Sequence, residues 1–321
     1  MMSKRFIFQY LYCECYNDTH NSFNAIMQLN DSSNDIDSVK KKWIIKALQA
    51  KKHVLCEKPV AKSAEEYLEM LAVAKENNRY IMDGTMFVHN NRTSLMLDHI
   101  AQRDVFGNVT RINAEFTFKG DDNFHANNIR ISKEGDFHGC IGDLGWYCIR
   151  LAQLVFTKAN AESAKRAQIT NWRLNDAGVP IDVSGFVFFQ NDDTNEEEHV
   201  LSFHCSFLHP LYQCASIVGS KQSLEMKNFV VPKDGNNSWV VHGQSLSAND
   251  EYSHQTVELT QSGPVQEVLM WRNFNRFCRS VETKGWDDVD AARLSKISLQ
   301  NQQVVDALME SIALGGKAVD L

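Results

Sequence analysis

The sequence predicts an α/β segment built on short parallel strands, followed by an α+β domain with a large, mostly antiparallel sheet open on one face. Two observations predict this. Between residues 37 and 82 helical and strand patterns alternate, the order that gives parallel strands joined by crossover helices. Beyond about Asn91 a helix gives way to closely spaced runs of period two, as antiparallel strands with one buried face have. A chain of 321 residues, 43% of them hydrophobic, can bury two cores. The expected division is 1–90 and 91–321, with residues 1–40 atypical.

The elements follow in order. Residues Met1 to Tyr16 are aromatic and cysteine-containing without a clean period, and Asn30 to Asp35 reads as a polar loop or a helix start. Lys4-Arg5 precedes aromatics, but Gln9 and Glu14 interrupt the run, so it is not read as a signal peptide. From Asp37 the apolar positions Val39, Trp43, Ile44, Ala47 and Leu48 recur at helical spacing, with Lys40, Lys41 and Lys42 as a solvated face. His53 to Cys56 is a short apolar strand. Ser63-Ala64-Glu65-Glu66 has capping-box spacing and opens a helical run through Tyr67, Leu68, Leu71 and Ala72. Tyr80-Ile81-Met82 is the next strand.

In the second part, Thr93 to Arg103 is helical and Arg111 to Phe118 alternates as a half-buried antiparallel strand. Further strands are predicted at Gln168 to Leu174, Ile181 to Phe189, His199 to Phe207, Tyr212 to Val218, Ser223 to Met226 and Gln255 to Leu259. The acidic Asn191 to Glu198 reads as a hairpin loop. Two helices close the chain, Val265 to Glu282 and Asp290 to Leu314, the second stopped by Gly315-Gly316.

Charge and cysteine usage exclude several classes. A formal net charge of −7 leaves no basic surface for nucleic acid. No apolar run approaches a membrane span. Eight cysteines without a CxxC pair fit a reducing, cytoplasmic setting. Cys13-Glu14-Cys15 is too close-set for zinc ligation. His204, Cys205 and His209 are the other metal candidates, but neighbours 204 and 205 on a strand face opposite sides, so no metal is expected.

Two segments carry chemistry. In Glu57-Lys58-Pro59 the proline holds Lys58 on extended backbone at the carboxyl end of a strand, the edge where open α/β sheets bind ligands. An ammonium fixed there suits a developing alkoxide or an anionic group; a surface lysine ending a strand is the alternative. In Asp136 to Arg150, a helix starting near Gly142 puts Asp143, Tyr147 and Arg150 on one face. Such polar groups on an apolar helix pair or line a cavity; otherwise Asp143 is an N-cap and the other two are surface residues. Phe87, Phe124, Trp271 and Phe274 line a pocket or belong to the core.

These residues resemble the Gfo/Idh/MocA oxidoreductase family, in which a Glu-Lys-Pro tripeptide ends a Rossmann strand. The likeness runs from about Trp43 to Leu321 and is nearest to the dihydrodiol dehydrogenase and plant-type branch, whose next strand is followed by a segment like Asp83-Gly84-Thr85-Met86-Phe87. Asp143-Leu144-Gly145-Trp146-Tyr147 resembles the family's helical motif, with Tyr147 where a His or Tyr stands. Of the glycine run before it, Phe137-His138-Gly139 keeps one. Gly219 to Leu224 resembles a family turn, with Gln222 where a glycine is usual. Arg150 is not a general family residue.

The resemblance implies an incomplete Rossmann-type domain followed by a substrate and oligomerisation domain. It implies NAD or NADP as cofactor, near Glu57, Lys58, Pro59 and His89, although an isolated loop histidine also fits the surface. Lys58, Tyr147 and Asp143 would be catalytic, facing one another across the domain cleft. Tyr147 would exchange a proton, its pKa lowered by the Lys58 ammonium, while Asp143 orients the lysine or the substrate. The substrate would be a small sugar, polyol or trans-dihydrodiol, and the partner a second copy bound through the large sheet. One feature departs: the first of sixteen glycines is Gly84, so no glycine turn for a pyrophosphate precedes Lys58. The chain is therefore expected to join the family's fold late, with a truncated N-terminal region. The alternative is a catalytically inactive relative acting in binding or assembly.

Overall fold

A computed structural model describes residues 25–27, 36–158, 163–190, 199–232, 238–243, 254–258, 264–287 and 289–321. The readings made above on Met1 to Tyr16, Asn30 to Asp35 and Asn191 to Glu198 lie outside the described residues.

The first sheet is parallel, with order β1 (Ala25–Met27), β2 (Val54–Cys56) and β3 (Ile81–Asp83). Helix α1 (Ile36–Gln49) connects the first pair of strands and α2 (Ala64–Glu76) the second. In α1, Ile44 and Leu48 are fully buried. Trp43, assigned above to the apolar stripe, instead lies exposed with the Lys46 ammonium 4.8 Å over its ring. Nor are the lysines simply solvated: Lys40 donates to the Pro59 carbonyl at 2.8 Å, and Lys41 pairs with Glu69 at 2.7 Å. Helix α2 begins at the Ser63 cap, whose Oγ accepts from the Glu66 amide at 3.3 Å. Its inner face is Tyr67, Met70, Leu71 and Ala74, while Leu68 points to solvent.

After β3 come a 3-10 turn (Met86–His89), α3 (Asn91–Ile100), the one-turn helix α4 (Arg103–Phe106), β4 (Val109–Thr117) and α5 (Asp122–Asn127). Helix α6 (Trp146–Lys158) precedes β5 (Ser163–Leu174), β6 (Pro180–Gln190), β7 (His199–Ser206), β8 (Tyr212–Gly219), β9 (Gln222–Lys227), β10 (Ser238–Gly243) and β11 (His254–Glu258). Helices α7 (Gln266–Lys284) and α8 (Val289–Ala313) and the short β12 (Val319–Asp320) end the chain. The second sheet has nine strands in the order β11-β10-β9-β8-β4-β7-β6-β5-β12. It is antiparallel except where β4 runs parallel to β7, so the strand expected to be antiparallel is so on its β8 side alone. The long excursion through α6, β5 and β6 supplies the crossover that a parallel pair requires. Strands β1, β10 and β12 lie outside the strands expected from the sequence.

Helix α6 is buried all round from Trp146 to Phe156 because the large sheet covers one side while α3 and α8 cover others. Helix α7 lays Met270, Phe274, Phe277 and Val281 against Leu55, Tyr80 and Met82 of the small sheet's strands and their approach. Helix α8 touches β3, α6 and β5, and so packs on both sheets. The closing helices, grouped above with residues 91–321, thus also complete the core of the parallel sheet.

Candidate active site

The Glu57-Lys58-Pro59 tripeptide leaves the carboxyl end of β2. The Lys58–Pro59 peptide is cis, and the proline ring abuts the chain at Gly142, where an added Cβ would come 3.3 Å from Pro59 Cγ. Strand end and helical turn are therefore in direct contact. Lys58 Nζ donates to the Asp143 main-chain carbonyl at 2.6 Å and forms an ion pair with Asp143 Oδ1. The two side chains are only 8% and 9% exposed. The same ammonium lies 4.8 Å from the centre of the Tyr147 ring. Phe87 and Phe116 pack on that ring at 6.1 and 5.6 Å. Lys58, Asp143 and Tyr147 form one cluster, as the resemblance implied.

A residue absent from the sequence reading joins them. Arg130, in the 3-10 turn Ile129–Ile131, sets its Nε 2.9 Å from Asp143 Oδ1. Asn128 shapes that turn by accepting from the Arg130 amide at 3.0 Å. No motif marks Arg130, because only the fold brings the turn to the helix.

Burial by itself would raise the Asp143 pKa, but Lys58 and Arg130 outweigh it and hold the carboxyl below its usual range. Burial likewise works against the Lys58 ammonium, and Asp143 more than restores it, so its pKa is raised. For Tyr147 the expectation of a lowered pKa is corrected: burial dominates, the pull of Lys58 is smaller, and the phenol is pushed up. The cluster rests as a carboxylate, an ammonium and a neutral phenol. No described residue hydrogen-bonds the Tyr147 hydroxyl, and Asp143 engages two of the three Lys58 protons.

The helix does not follow the spacing assumed above. It is already wound from Gly139, makes a π-helical turn over Ile141–Gly145, and continues as α6. Asp143 and Tyr147 both meet Lys58, whereas Arg150 reaches the end of β3 and helix α8. There Arg150 Nη2 donates to Asp83 Oδ2 at 2.9 Å and to Ser298 Oγ at 3.3 Å. Asp83 also accepts from the Thr85 amide at 2.9 Å, and Trp146 Nε1 donates to Thr85 Oγ1 at 2.8 Å. This buried network joins β3, α6 and α8.

His89 is buried, not on the surface. The side-chain amide of Asn273 lies 3.1 Å from its Nδ1, and burial lowers its pKa to about 4. It is hydrogen-bonded to α7 and not to the lysine cluster. Glu57 is exposed at the strand end, beside Gly84. Phe87 and Phe274 are core residues, and Phe124 packs on Phe118 and Phe207.

Comparison with known proteins gives the family. Residues 31–85 match the profile described as oxidoreductase family, NAD-binding Rossmann fold, and residues 95–225 match the GFO/IDH/MocA C-terminal domain. Together they span more than half of the chain. It belongs to the Gfo/Idh/MocA oxidoreductase family. The match begins somewhat earlier than the Trp43 expected from the motifs.

Among curated relatives of this Gfo/Idh/MocA chain is the dTDP-3,4-didehydro-2,6-dideoxy-alpha-D-glucose 3-reductase of Streptomyces violaceoruber. It is 32% identical over 113 residues, which are 35% of this chain and 32% of that protein. The human trans-1,2-dihydrobenzene-1,2-diol dehydrogenase is 26% identical over 185 residues, 58% of this chain and 51% of that one. The chain thus aligns with about a third to a half of the length of these two. A 3-ketoreductase from Actinomadura kijaniata, solved with NADP and TDP-benzene, shares the fold with a TM-score of 0.65. That likeness is at 22% identity and covers 86% of this chain and 75% of the other.

A nicotinamide cofactor fits the end of the parallel sheet that carries this cluster. The unbonded Tyr147 hydroxyl and the remaining Lys58 proton offer polar groups at the carboxyl end of the parallel sheet. In the sequence no glycine precedes Gly84.

Proposed function

We propose that the chain is an NAD(P)-dependent oxidoreductase acting at a carbinol or carbonyl carbon of a small sugar, polyol or trans-dihydrodiol-like molecule. The observation that carries this reading is the cluster of Lys58, Asp143 and Tyr147 at the carboxyl end of β2. A bound nicotinamide supplies or accepts the hydride. Glu57, Lys58, Pro59 and His89 would border it.

The chain's own contribution is the proton. In the reductive direction the neutral Tyr147 phenol gives its proton to the substrate oxygen as negative charge grows there. Lys58 offers that oxygen its third N–H and stabilises the phenolate left behind. Asp143, itself held by Arg130, fixes the ammonium in place. Tyr147 then recovers a proton from solvent, and the oxidative direction reverses these steps.

Relatives' names support the substrate class, one being a nucleotide-sugar reductase and another a dihydrodiol dehydrogenase. The proposal includes a homo-oligomer formed through the open face of the large sheet, where β6 and β7 present half-buried side chains at alternate positions. A cytoplasmic setting agrees with the six described cysteines being unpaired. No described helix is long and apolar enough to cross a membrane.

Titration with NADPH and NADH, followed by fluorescence transfer from tryptophan, tests the reading directly. Saturable binding of one of them is expected, and no binding of either at millimolar concentration overturns the proposal. Tyr147→Phe and Lys58→Ala should each lower turnover by about 10²-fold or more with the fold intact. Wild-type turnover in either variant removes the role given to that residue.

A further inference from the structure

The pairing of β6 with β7 brings together residues that lie far apart in sequence. Asp182 is opposite Ser206 and His204 is opposite Ser184, which puts Asp182 and His204 diagonally on one face of the sheet. That is the open face: Val183, Leu201, Phe203 and Cys205 point the other way, into the core. His209, in the turn after β7, reaches over the same spot. His204 Nε2 is 2.9 Å and His209 Nε2 3.6 Å from Asp182 Oδ1. All three candidate ligand atoms lie within 4.8 Å of one another.

We propose that Asp182, His204 and His209 form a binding site for a divalent transition-metal ion of the zinc class. Ligand atoms about 2.0–2.1 Å from a tetrahedral zinc stand about 3.3 Å apart. The two Asp182 separations bracket that value, and the third edge, between the half-exposed His209 and His204, is within 4.8 Å. Two imidazoles and one carboxylate are a donor set suited to zinc, cobalt or nickel. The set is also pre-formed. The turn carrying His209 is pinned by the Phe207 amide donating to Ile181 at 2.8 Å, the Leu208 amide to Ser206 Oγ at 3.0 Å and Thr117 Oγ1 to the Pro210 carbonyl at 2.7 Å. Neighbouring strands and a fixed turn thus supply three ligands and leave a fourth position for water. The expectation of no metal rested on His204 and Cys205 facing opposite ways, which they do; Asp182 takes the place assigned to the cysteine.

Chelator-treated protein titrated with Co²⁺ tests the site without recourse to enzymatic activity. One ion per chain is expected, with weak visible bands, no thiolate charge-transfer band, and displacement by Zn²⁺. Asp182→Asn and His209→Ala should each weaken binding by about tenfold or more. His209→Ala changes an exposed side chain, so its metal-free melting curve should match the wild type. Zn²⁺ should raise the melting temperature of the wild type and raise that of His209→Ala clearly less at the same concentration. Equal Co²⁺ affinity in His209→Ala and wild type, a thiolate band, or no saturable binding would each overturn the assignment.

Discussion

Replacing Arg150 by methionine is expected to destabilise the protein severely without changing what it recognises. The guanidinium and the Asp83 carboxylate are 2% and 4% exposed, and their contact at 2.9 Å ties α6 to the end of β3. Burial alone would raise the Asp83 pKa; Arg150, Ser298 and Thr85 hold it below the usual carboxylate value. Methionine fills much of the volume but leaves that carboxylate buried without a cation. Breaking a buried pair on one side costs about 3–5 kcal/mol. The sign with pH is specific. In the wild type the lowered Asp83 pKa contributes stability above the unfolded value of 3.8 that is lost as pH falls through the folded pKa. In Arg150→Met burial prevails, so the folded pKa rises above 3.8 and the variant loses stability as pH rises. Urea unfolding of Arg150→Met, Asp83→Asn and the double variant closes a cycle. The double variant, with no stranded charge, should recover about 2 kcal/mol or more relative to additivity. Single losses that simply add, or a cost below about 1 kcal/mol for Arg150→Met, would refute the reasoning.

Two other perturbations follow from the same architecture. His89 is buried with a pKa lowered from 6.5 to about 4. The unfolded chain therefore binds a proton before the folded one does, and stability should fall by about 3 kcal/mol as pH drops from above 6.5 to about 4. Urea midpoints measured across that range should flatten in His89→Gln, and an unchanged profile would count against the burial argument. Gly139 has φ +54, and an added Cβ would fall 2.1 Å from the Pro180 carbonyl oxygen. Gly139→Ala should cost about 3 kcal/mol or more through strain and overlap, and should lower the proposed oxidoreductase turnover by displacing the turn that carries Asp143. A thermal melt and a turnover assay within about 10% of wild type would contradict this.

What could be read in advance was whatever is local in the chain. The cap at Ser63 and the strand ending at Cys56 each depend on a few adjacent residues, and the structure places them as expected. The one glycine retained before the Asp143 helix, Gly139, stands where the chain turns left-handed against Pro180. Features that depend on phase or register were not legible. Spacing alone grouped Arg150 with Asp143 and Tyr147; the partners that engage Arg150 instead, Asp83 and Ser298, come from β3 and α8, distant in the chain, and the π-helical turn at Ile141–Gly145 has no clear composition either. Arg130 reaches Asp143 from a turn with no periodicity. Asp182 and His204 are 22 residues apart, and only the offset between β6 and β7 sets them diagonally on one face. A slip of that register by one residue would send His204 into the core and Cys205 to solvent. The buried row of Val183, Leu201, Phe203 and Cys205 forbids the slip, so the apolar face of the sheet determines which polar groups meet on the other.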